Sequence, residues 1–250
     1  MKRGRLAIVG LGPGSPDLLT AAAAAELSAA EILIGYRGYL EQIPHDASPA
    51  RREPYALGEE RQRARRAASA AAEGARVALV SSGDPGIYGM ASLALHELGA
   101  ITGNGDQPEV AVIPGVTAAT AAAALVGAPL AVDFACVSLS DLLVPAAELE
   151  VKIEALARAD IVLALYNPAS RTRRMPWENA VRTLQAARPG ATPVAVVSRA
   201  FRDGQEVRLA ELAGLDRLPV DMETVVIVGS SRTERLGDWL LTLRDERSQA

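Results

Sequence analysis

The chain has 250 residues, of which 49% are hydrophobic, a size and composition that allow one large domain or two small ones. No apolar stretch of membrane-spanning length lacks charged or turn residues, which excludes a membrane-embedded protein. The formal net charge of −4 and the aromatic content of 4% argue against a nucleic-acid-binding surface.

Cysteine usage and the N-terminus are typical of a cytoplasmic protein. The single cysteine, Cys136, excludes an internal disulfide and suits a reducing compartment. The first residues are basic, but the apolar run from Leu6 to Gly10 is too short for the core of a signal peptide. We therefore expect the protein to work in the cytoplasm.

The first predicted strand ends in a glycine-rich turn, residues Gly10 to Ser15, and Thr20 is expected to cap the alanine-rich helix that follows. This turn is similar to the dinucleotide-binding pattern G-x-G-x-x-G. However, Ser15 replaces the third glycine, and Pro13 lacks a backbone donor for a pyrophosphate. A nicotinamide-dependent oxidoreductase is therefore only a distant alternative. No Lys-Ser or Lys-Thr pair follows the turn, which excludes a P-loop.

Arginines are frequent in the next stretch. Those near Glu59 and Glu60 have the spacing of a solvated helix face. Arg37 follows the second predicted strand, and Arg52 lies in turn-like sequence. We expect these two arginines to be available to an anionic ligand.

A second glycine-rich turn, Ser81 to Met90, follows the apolar run Val77 to Val80 and precedes a predicted helix. Open α/β sheets bind ligands at such turns, beyond the carboxyl ends of their strands. Asp84 is the only full charge in this turn. Its carboxylate suits a ligand that offers hydroxyl or ammonium donors and repels a phosphate. The alternative is that Asp84 only caps the helix.

A third turn, Pro114 to Ala118, follows the predicted strand Glu109 to Ile113. Strands that alternate with helices predict a parallel, doubly wound α/β domain over residues 1–129. Residues 130–250 predict a second α/β domain with a mixed sheet, in which Asp203-Gly204 forms a hairpin turn and a terminal helix follows Gly229. We expect ligands in the cleft between the two domains.

The three turns, in this order, resemble those of the tetrapyrrole methylase family, whose members methylate corrin and sirohaem precursors with S-adenosylmethionine. The resemblance covers nearly the whole chain and implies two α/β domains, a cofactor in the cleft between them, a tetrapyrrole substrate and a homodimer. Position by position, it implies cofactor contacts from nine residues. They are Pro13, Ser82, Gly83, Asp84, Ile87, Thr117, Ala118, Tyr166 and Ala200.

Two stretches, Ser138 to Leu143 and Tyr166 to Ser170, resemble one branch of that family. This branch methylates C17 of precorrin-3B and contracts its ring to give precorrin-4 in cobalamin biosynthesis. Methylation at another corrin position, or of a cobalt-bearing precorrin, remains open. A non-catalytic tetrapyrrole carrier is a further alternative, but a carrier has no need of the cofactor turns.

Methyl transfer from a sulfonium needs alignment of donor and acceptor, and it needs no metal. His45 and His96 do not have the spacing of metal ligands. Ring contraction requires a proton acceptor, for which the candidates are Asp84, Asp141 and Tyr166. Candidates for binding the substrate's carboxylates and other polar groups lie in predicted loops or at strand ends. They are Arg37, Arg52, Ser138, Asn167, Arg171 and Arg199, with Arg173 as a further basic residue in the same turn as Arg171.

Overall fold

The computed structural model describes residues 3–103, 107–140, 144–170 and 172–244. The predicted site residues Asp141 and Arg171 lie outside these ranges and stay predictions. The chain divides into two compact units, the first ending at Ala118 and the second beginning at Ala119.

The first unit is built on a five-stranded sheet whose paired strands are all parallel, in the order β3-β2-β4-β1-β5. Its strands are β1 (Arg5–Gly10), β2 (Ile32–Tyr36), β3 (Arg51–Tyr55), β4 (Arg76–Ser81) and β5 (Glu109–Ile113). Its helices are α1 (Ala21–Ala29), α2 (Arg37–Leu40), α3 (Glu60–Ala72) and α4 (Ala91–Thr102), with a 3-10 turn at Pro16–Leu18. Helices cover both faces of the sheet, because neighbouring residues of β1 contribute to two different hydrophobic clusters.

The second unit contains a mixed sheet in the order β10-β9-β11-β8-β7 and a small sheet in the order β12-β13-β6. Its strands are β6 (Gly127–Ala128), β7 (Phe134–Ser138), β8 (Val162–Tyr166), β9 (Pro193–Ser198), β10 (Glu206–Glu211), β11 (Thr224–Val228), β12 (Thr233–Leu236) and β13 (Trp239–Thr242). The helices are α5 (Ala118–Val126), α6 (Ala146–Arg158) and α7 (Met175–Ala187), with a 3-10 segment at Leu212–Arg217. The predicted α/β class, with one parallel and one mixed sheet, is confirmed.

Two local predictions are also confirmed. Thr20 caps α1, because its side-chain oxygen accepts a hydrogen bond of 3.1 Å from the N–H of Ala23. Strand β10 follows the turn at Asp203-Gly204 and pairs antiparallel with β9. Gly204 has a φ of +75°, a conformation that glycine adopts without steric cost.

The predicted terminal helix is wrong, because residues 233–242 form the hairpin β12–β13. Its two-residue loop places Gly237 at a φ of +61°. Strand β13 also pairs in parallel with β6, so that Leu240 lies opposite Gly127. The compact units divide at Ala118, earlier in the chain than the predicted domain boundary after Pro129, and the pairing of β6 with β13 lies within the second unit.

Strand β3 forms where the sequence indicated a turn. Its residues Arg51 and Arg52 pair with β2 at the edge of the sheet, and Pro54 is tolerated there because an edge strand needs fewer backbone donors. The guanidinium of Arg52 donates hydrogen bonds to the carbonyls of Leu40, Ile43 and Pro44. Arg52 therefore closes the loop after α2, whatever else it binds.

Arg188 connects three elements of the second unit. It is buried and donates to four backbone carbonyls, those of Leu156, Ala157, Ile161 and Gly229. These carbonyls belong to the end of α6, the residue before β8 and the residue after β11. Burial lowers the pKa of Arg188, but an arginine side chain in a protein stays charged. This buried cation therefore organises the edge of the second sheet where β8 begins and β11 ends.

Within the described ranges, no helix combines the length and the apolarity that a membrane span requires.

Candidate active site

The first two glycine-rich turns meet at the carboxyl edge of the first sheet. Gly12 donates its N–H to the carbonyl of Gly83 at 3.1 Å, and Gly83 donates its own N–H to the carbonyl of Gly12 at 2.7 Å. This reciprocal pair extends the alignment of β1 with its neighbour β4 beyond the strands themselves.

The third turn packs against both of the others, backbone on backbone. A Cβ atom at Gly115 would lie 2.2 Å from the carbonyl oxygen of Gly83. A Cβ atom at Gly10 would lie 2.7 Å from that same oxygen and from the nitrogen of Gly115. Contacts this short are not possible for a side chain, so the glycines are required for the three turns to approach one another.

Asp84 joins two of these turns. Its Oδ1 accepts a hydrogen bond from the N–H of Gly86 at 2.8 Å, and its Oδ2 accepts one from the N–H of Gly115 at 3.1 Å. The alternative that Asp84 caps a helix is wrong. The cap position of α4 is Met90, whose N–H donates to the hydroxyl of Ser81.

The other predicted cofactor residues of the first unit lie in or beside these turns. Pro13 is buried next to Gly12, and Ser82 is half-buried next to Gly83. A Cβ atom at Gly83 would contact Thr117 Cα at 3.7 Å and Ala118 N at 3.8 Å, so the second and third turns lie close together here. Ile87 is 38% exposed.

Tyr88 is a feature of the second turn that sequence reasoning missed. Its φ of +55° is unusual for a residue with a side chain, and its side chain is 53% exposed. The tyrosine and the neighbouring Ile87 give this turn an exposed apolar surface. Strained backbone of this kind is concentrated at functional sites, and the strain itself cannot be read from the sequence.

The second unit brings predicted polar residues together at the carboxyl ends of β7 and β8. Asn167 has a φ of +51° and donates from Nδ2 to the hydroxyl oxygen of Ser138 at 3.0 Å. The hydroxyl oxygen of Tyr166, which is 8% exposed, accepts a hydrogen bond of 2.8 Å from the N–H of Ala119. Tyr166 thereby holds the first turn of α5, directly after the predicted cofactor residues Thr117 and Ala118.

Cys136 lies beside Tyr166. Burial raises the pKa of the Cys136 thiol, and a hydrogen bond with Tyr166 acts in the opposite direction. The thiol stays protonated near neutral pH because the net change is upward. Since the thiolate is the nucleophilic form, Cys136 is not suited to nucleophilic chemistry.

Arg199 follows β9 at the same edge of the second sheet, with a φ of +51°. Its Nε donates to Glu223 at 2.8 Å, and this hydrogen bond raises the pKa of Arg199. Arg202 contacts the other oxygen of Glu223 at 2.9 Å. Ala200, half-buried, lies between the two arginines in sequence. In the first unit, Arg37 is exposed at the start of α2, beyond the carboxyl end of β2.

Arg173, which the sequence analysis included among the residues that could bind substrate carboxylates, bridges two loops of the second unit. Its Nη1 donates to the carbonyl of Leu139 at 2.5 Å, and its Nη2 donates to the carbonyl of Asn167 at 2.9 Å. No group of three His, Cys, Asp or Glu side chains suited to a metal ion occurs in the part of the chain that the structure describes.

A family model for "Tetrapyrrole (Corrin/Porphyrin) Methylases" matches residues 5–216 of the chain. The chain belongs to this family. The methylase is 42% identical over 228 residues to a "Probable cobalt-factor III C(17)-methyltransferase" of Salmonella typhimurium, covering 91% of this chain and 93% of that protein. It is 36% identical over 233 residues to a "Precorrin-3B C(17)-methyltransferase" of Sinorhizobium sp, covering 92% and 90%.

Solved structures agree with this assignment. The methylase matches the crystal structure of the methyltransferase CobJ with a TM-score of 0.87 and 36% identity, over 96% of this chain and 100% of that one. It matches a uroporphyrin-III C-methyl transferase of Thermus thermophilus, complexed with S-adenosyl homocysteine, with a TM-score of 0.65 and 25% identity, over 90% and 92%. Some relatives are longer: the methylase spans 45% of the cobalamin biosynthesis protein CobIJ of Mycobacterium tuberculosis, at 45% identity.

Proposed function

We propose that this methylase transfers a methyl group from S-adenosylmethionine to C17 of precorrin-3B, or of the cobalt-bearing form of that ring, and contracts the ring during cobalamin biosynthesis. One observation carries the proposal. Two relatives whose names specify C17 methylation align with at least 90% of their own length and of this chain. Their names differ in whether the ring carries cobalt, so both forms are substrates to test.

The turns of the first unit fit the cofactor. Residues 10–17, 81–90 and 114–118 contain no lysine or arginine, so they offer no cation to a phosphate. S-adenosylmethionine would supply a methyl group on a positively charged sulfur, together with uncharged adenosine. Gly86 is exposed and has no side chain, so the backbone of the second turn can approach such a ligand closely there. A solved relative of 25% identity binds S-adenosyl homocysteine, which supports the same choice.

The residues of this chain contribute mainly by positioning. The three turns pack so closely at Gly10 and Gly115 that a side chain does not fit there, and turns held in this way would keep the cofactor in one orientation. This matters because alignment of donor and acceptor supplies much of the rate of methyl transfer. The exposed guanidinium of Arg37 is available to the carboxylates of a tetrapyrrole. Arg199 is also exposed, but its Nε is already paired with Glu223. The guanidinium of Arg52 already donates to three carbonyls, so it would bind a carboxylate only by giving up some of these bonds.

Ring contraction needs a base near the C20 hydroxyl, and Asp84, Asp141 and Tyr166 are the predicted candidates. Both carboxylate oxygens of Asp84 accept backbone N–H groups, and the Tyr166 hydroxyl accepts the N–H of Ala119. These two residues therefore have structural tasks. We assign the proton transfer to Asp141, with Asn167 and Ser138 as polar contacts to the macrocycle.

The proposal is tested by incubating the purified protein with S-adenosylmethionine and either precorrin-3B or its cobalt form. Mass spectrometry should find one added methyl group, and NMR should find the acetyl group of a contracted ring. The Asp141→Asn variant should keep methylation while contraction stalls. Contraction at the normal rate in that variant would contradict the role of Asp141, and no methylation of either substrate by the wild type would contradict the C17 assignment.

Calorimetry separates this proposal from the oxidoreductase alternative. We expect S-adenosyl homocysteine to bind and NADH not to bind. We further propose a cytoplasmic homodimer, as the family resemblance implies, and light scattering coupled to gel filtration measures that assembly directly.

A further inference from the structure

Arg173 holds together the loops that follow β7 and β8. Its two terminal nitrogens donate to different loops, one to the carbonyl of Leu139 and the other to the carbonyl of Asn167. A guanidinium presents both donors from one rigid plane, whereas a lysine ammonium is a single point charge. Arg173 is half-buried, and its Nη2 also lies 3.4 Å from the sulfur of Met222.

The backbone of Arg173 is fixed as well as its side chain. Ser170 donates its N–H to the carbonyl of Arg173 at 2.9 Å, and the N–H of Arg173 donates to the hydroxyl oxygen of Ser170 at 3.1 Å. The guanidinium is therefore presented from a closed turn.

The two carbonyls that Arg173 binds lie beside a polar pair of side chains. Asn167 adopts a left-handed φ of +51°, a conformation that asparagine tolerates better than most residues other than glycine. Its side chain donates to the hydroxyl oxygen of Ser138, which also accepts the N–H of Ser140 at 3.4 Å. Because the Ser138 oxygen accepts two bonds, the Ser138 hydroxyl proton can be donated to a third group. The side-chain oxygen of Asn167 takes no part in its bond to Ser138, so it can act as an acceptor.

We propose that Arg173 is a positioning residue that fixes the Ser138–Asn167 pair for recognition of the tetrapyrrole. The inference rests on the proposed function and deepens it, because it specifies which residue prepares the substrate side of the site. It also replaces the expectation that Arg173 binds a substrate carboxylate. The guanidinium acts on two backbone carbonyls, and the pair that it holds offers one donor and one acceptor to the ligand.

The first test compares Arg173→Lys with the control Arg174→Lys, at an exposed neighbour before α7. A lysine ammonium is a single point charge and does not span both carbonyls. We expect Arg173→Lys to raise the KM for the tetrapyrrole by about tenfold, the effect of about 1.4 kcal/mol. The affinity for S-adenosyl homocysteine should stay within about twofold. Equal KM values in the two variants would overturn the proposal.

A double-mutant cycle separates positioning from direct binding. If Arg173 acts through Asn167, then Arg173→Lys should change KM by less than about twofold when Asn167→Ala is already present. If the two effects multiply, Arg173 contacts the substrate independently and the proposal is wrong. Guanidinium chloride should restore activity to Arg173→Ala, and ethylammonium should not.

Hydrogen exchange tests the arrangement without any substrate, so it does not depend on the proposed function. The N–H of Leu139 donates to the carbonyl of Tyr166. Arg173→Lys should accelerate exchange of that amide and of Ser140, and Arg174→Lys should not. Unchanged exchange would overturn the positioning role, even if the methylase proved to act on another tetrapyrrole. Should Arg173→Lys not fold, Arg173→Gln, which keeps a planar donor, serves for the same comparison.

Discussion

The Oδ2 atom of Asp84 accepts the backbone N–H of Gly115 across 31 residues of sequence, at 3.1 Å. This bond ties the turn after β4 to the turn after β5, although β1 lies between those two strands in the sheet. The carboxylate is therefore part of the framework that holds these two turns together.

Asp84→Asn should weaken this framework. Asparagine has the same shape, but its amide nitrogen cannot accept an N–H, so one of the two charge-assisted bonds is lost. We expect the free energy of unfolding in urea to fall by about 1–3 kcal/mol, and the affinity for S-adenosyl homocysteine to fall with it. Asp17→Asn, at an exposed position in the neighbouring turn, is the control. Identical unfolding midpoints for both variants would contradict this account.

Gly115→Ala should disrupt the packing of the turns, because its Cβ would lie 2.2 Å from the carbonyl oxygen of Gly83. We expect a loss of stability of about 1–3 kcal/mol and a large loss of cofactor affinity. Gly99→Ala is a matched control, since that glycine is exposed within α4 and a Cβ there meets nothing within 4 Å. The control should gain about 0.5–1 kcal/mol. Shifts of the same sign would refute the packing argument.

Tyr166→Phe should leave the N–H of Ala119 without its acceptor. A buried donor that loses its partner costs about 1–3 kcal/mol, which urea unfolding measures. Tyr36→Phe is the control, because phenylalanine retains the edge-to-face contact of Tyr36 with Tyr39, whose ring centroids are 5.1 Å apart. If Tyr166→Phe is as stable as the control, then Tyr166 does not hold α5 in the way described.

Cys136 should make stability depend on pH in the alkaline range. Its pKa is raised in the folded state, so above about pH 8.5 the unfolded thiol ionises while the folded thiol keeps its proton. The unfolded state then binds fewer protons, and stability falls as pH rises. Relative to Cys136→Ala, the wild type should be unchanged near pH 7 and should lose stability toward pH 10. A flat or rising difference would show that the pKa is not raised.

Arg188→Met should destabilise the second unit strongly, because it removes the donor of four backbone carbonyls from a buried position. We expect a loss of at least about 3 kcal/mol. Arg182→Met, at an exposed position of α7, the helix that ends just before Arg188, should change stability by no more than about 0.5 kcal/mol. Comparable small losses in both variants would contradict the assigned role of the guanidinium.

The sequence identified the strands that carry the cofactor turns, because β1 and β4 are apolar runs that end in glycine or serine. It also placed predicted site residues such as Asn167 and Arg199 directly after strands, and the structure has β8 and β9 end just before them. It did not reveal that Asp84 reaches Gly115 or that Arg173 reaches Leu139. Such contacts depend on strand order and on loop geometry, and residue spacing along the chain carries neither.

Strand β3 and the hairpin β12–β13 were missed for different reasons. Strand β3, with the sequence Arg-Arg-Glu-Pro-Tyr, lies at an edge and lacks the alternation of a buried strand. The hairpin β12–β13 is rich in leucine, a good helix former, so a helix was predicted here although a Gly-Asp pair stands at the turn. That pair is a recognised hairpin signal, so this element was within reach of sequence reasoning.

The pairing of β6 with β13 imposes an order of events during synthesis. All five strands of the first sheet have emerged once Ile113 leaves the ribosome. In contrast, Pro129 accepts a hydrogen bond from the hydroxyl of Thr242, 113 residues further along the chain. The first unit can therefore close while the second is still being translated, whereas the segment after α5 must wait for nearly the whole remainder of the chain. On a ribosome stalled before Trp239, the first sheet would be complete, and the second unit would still lack β13.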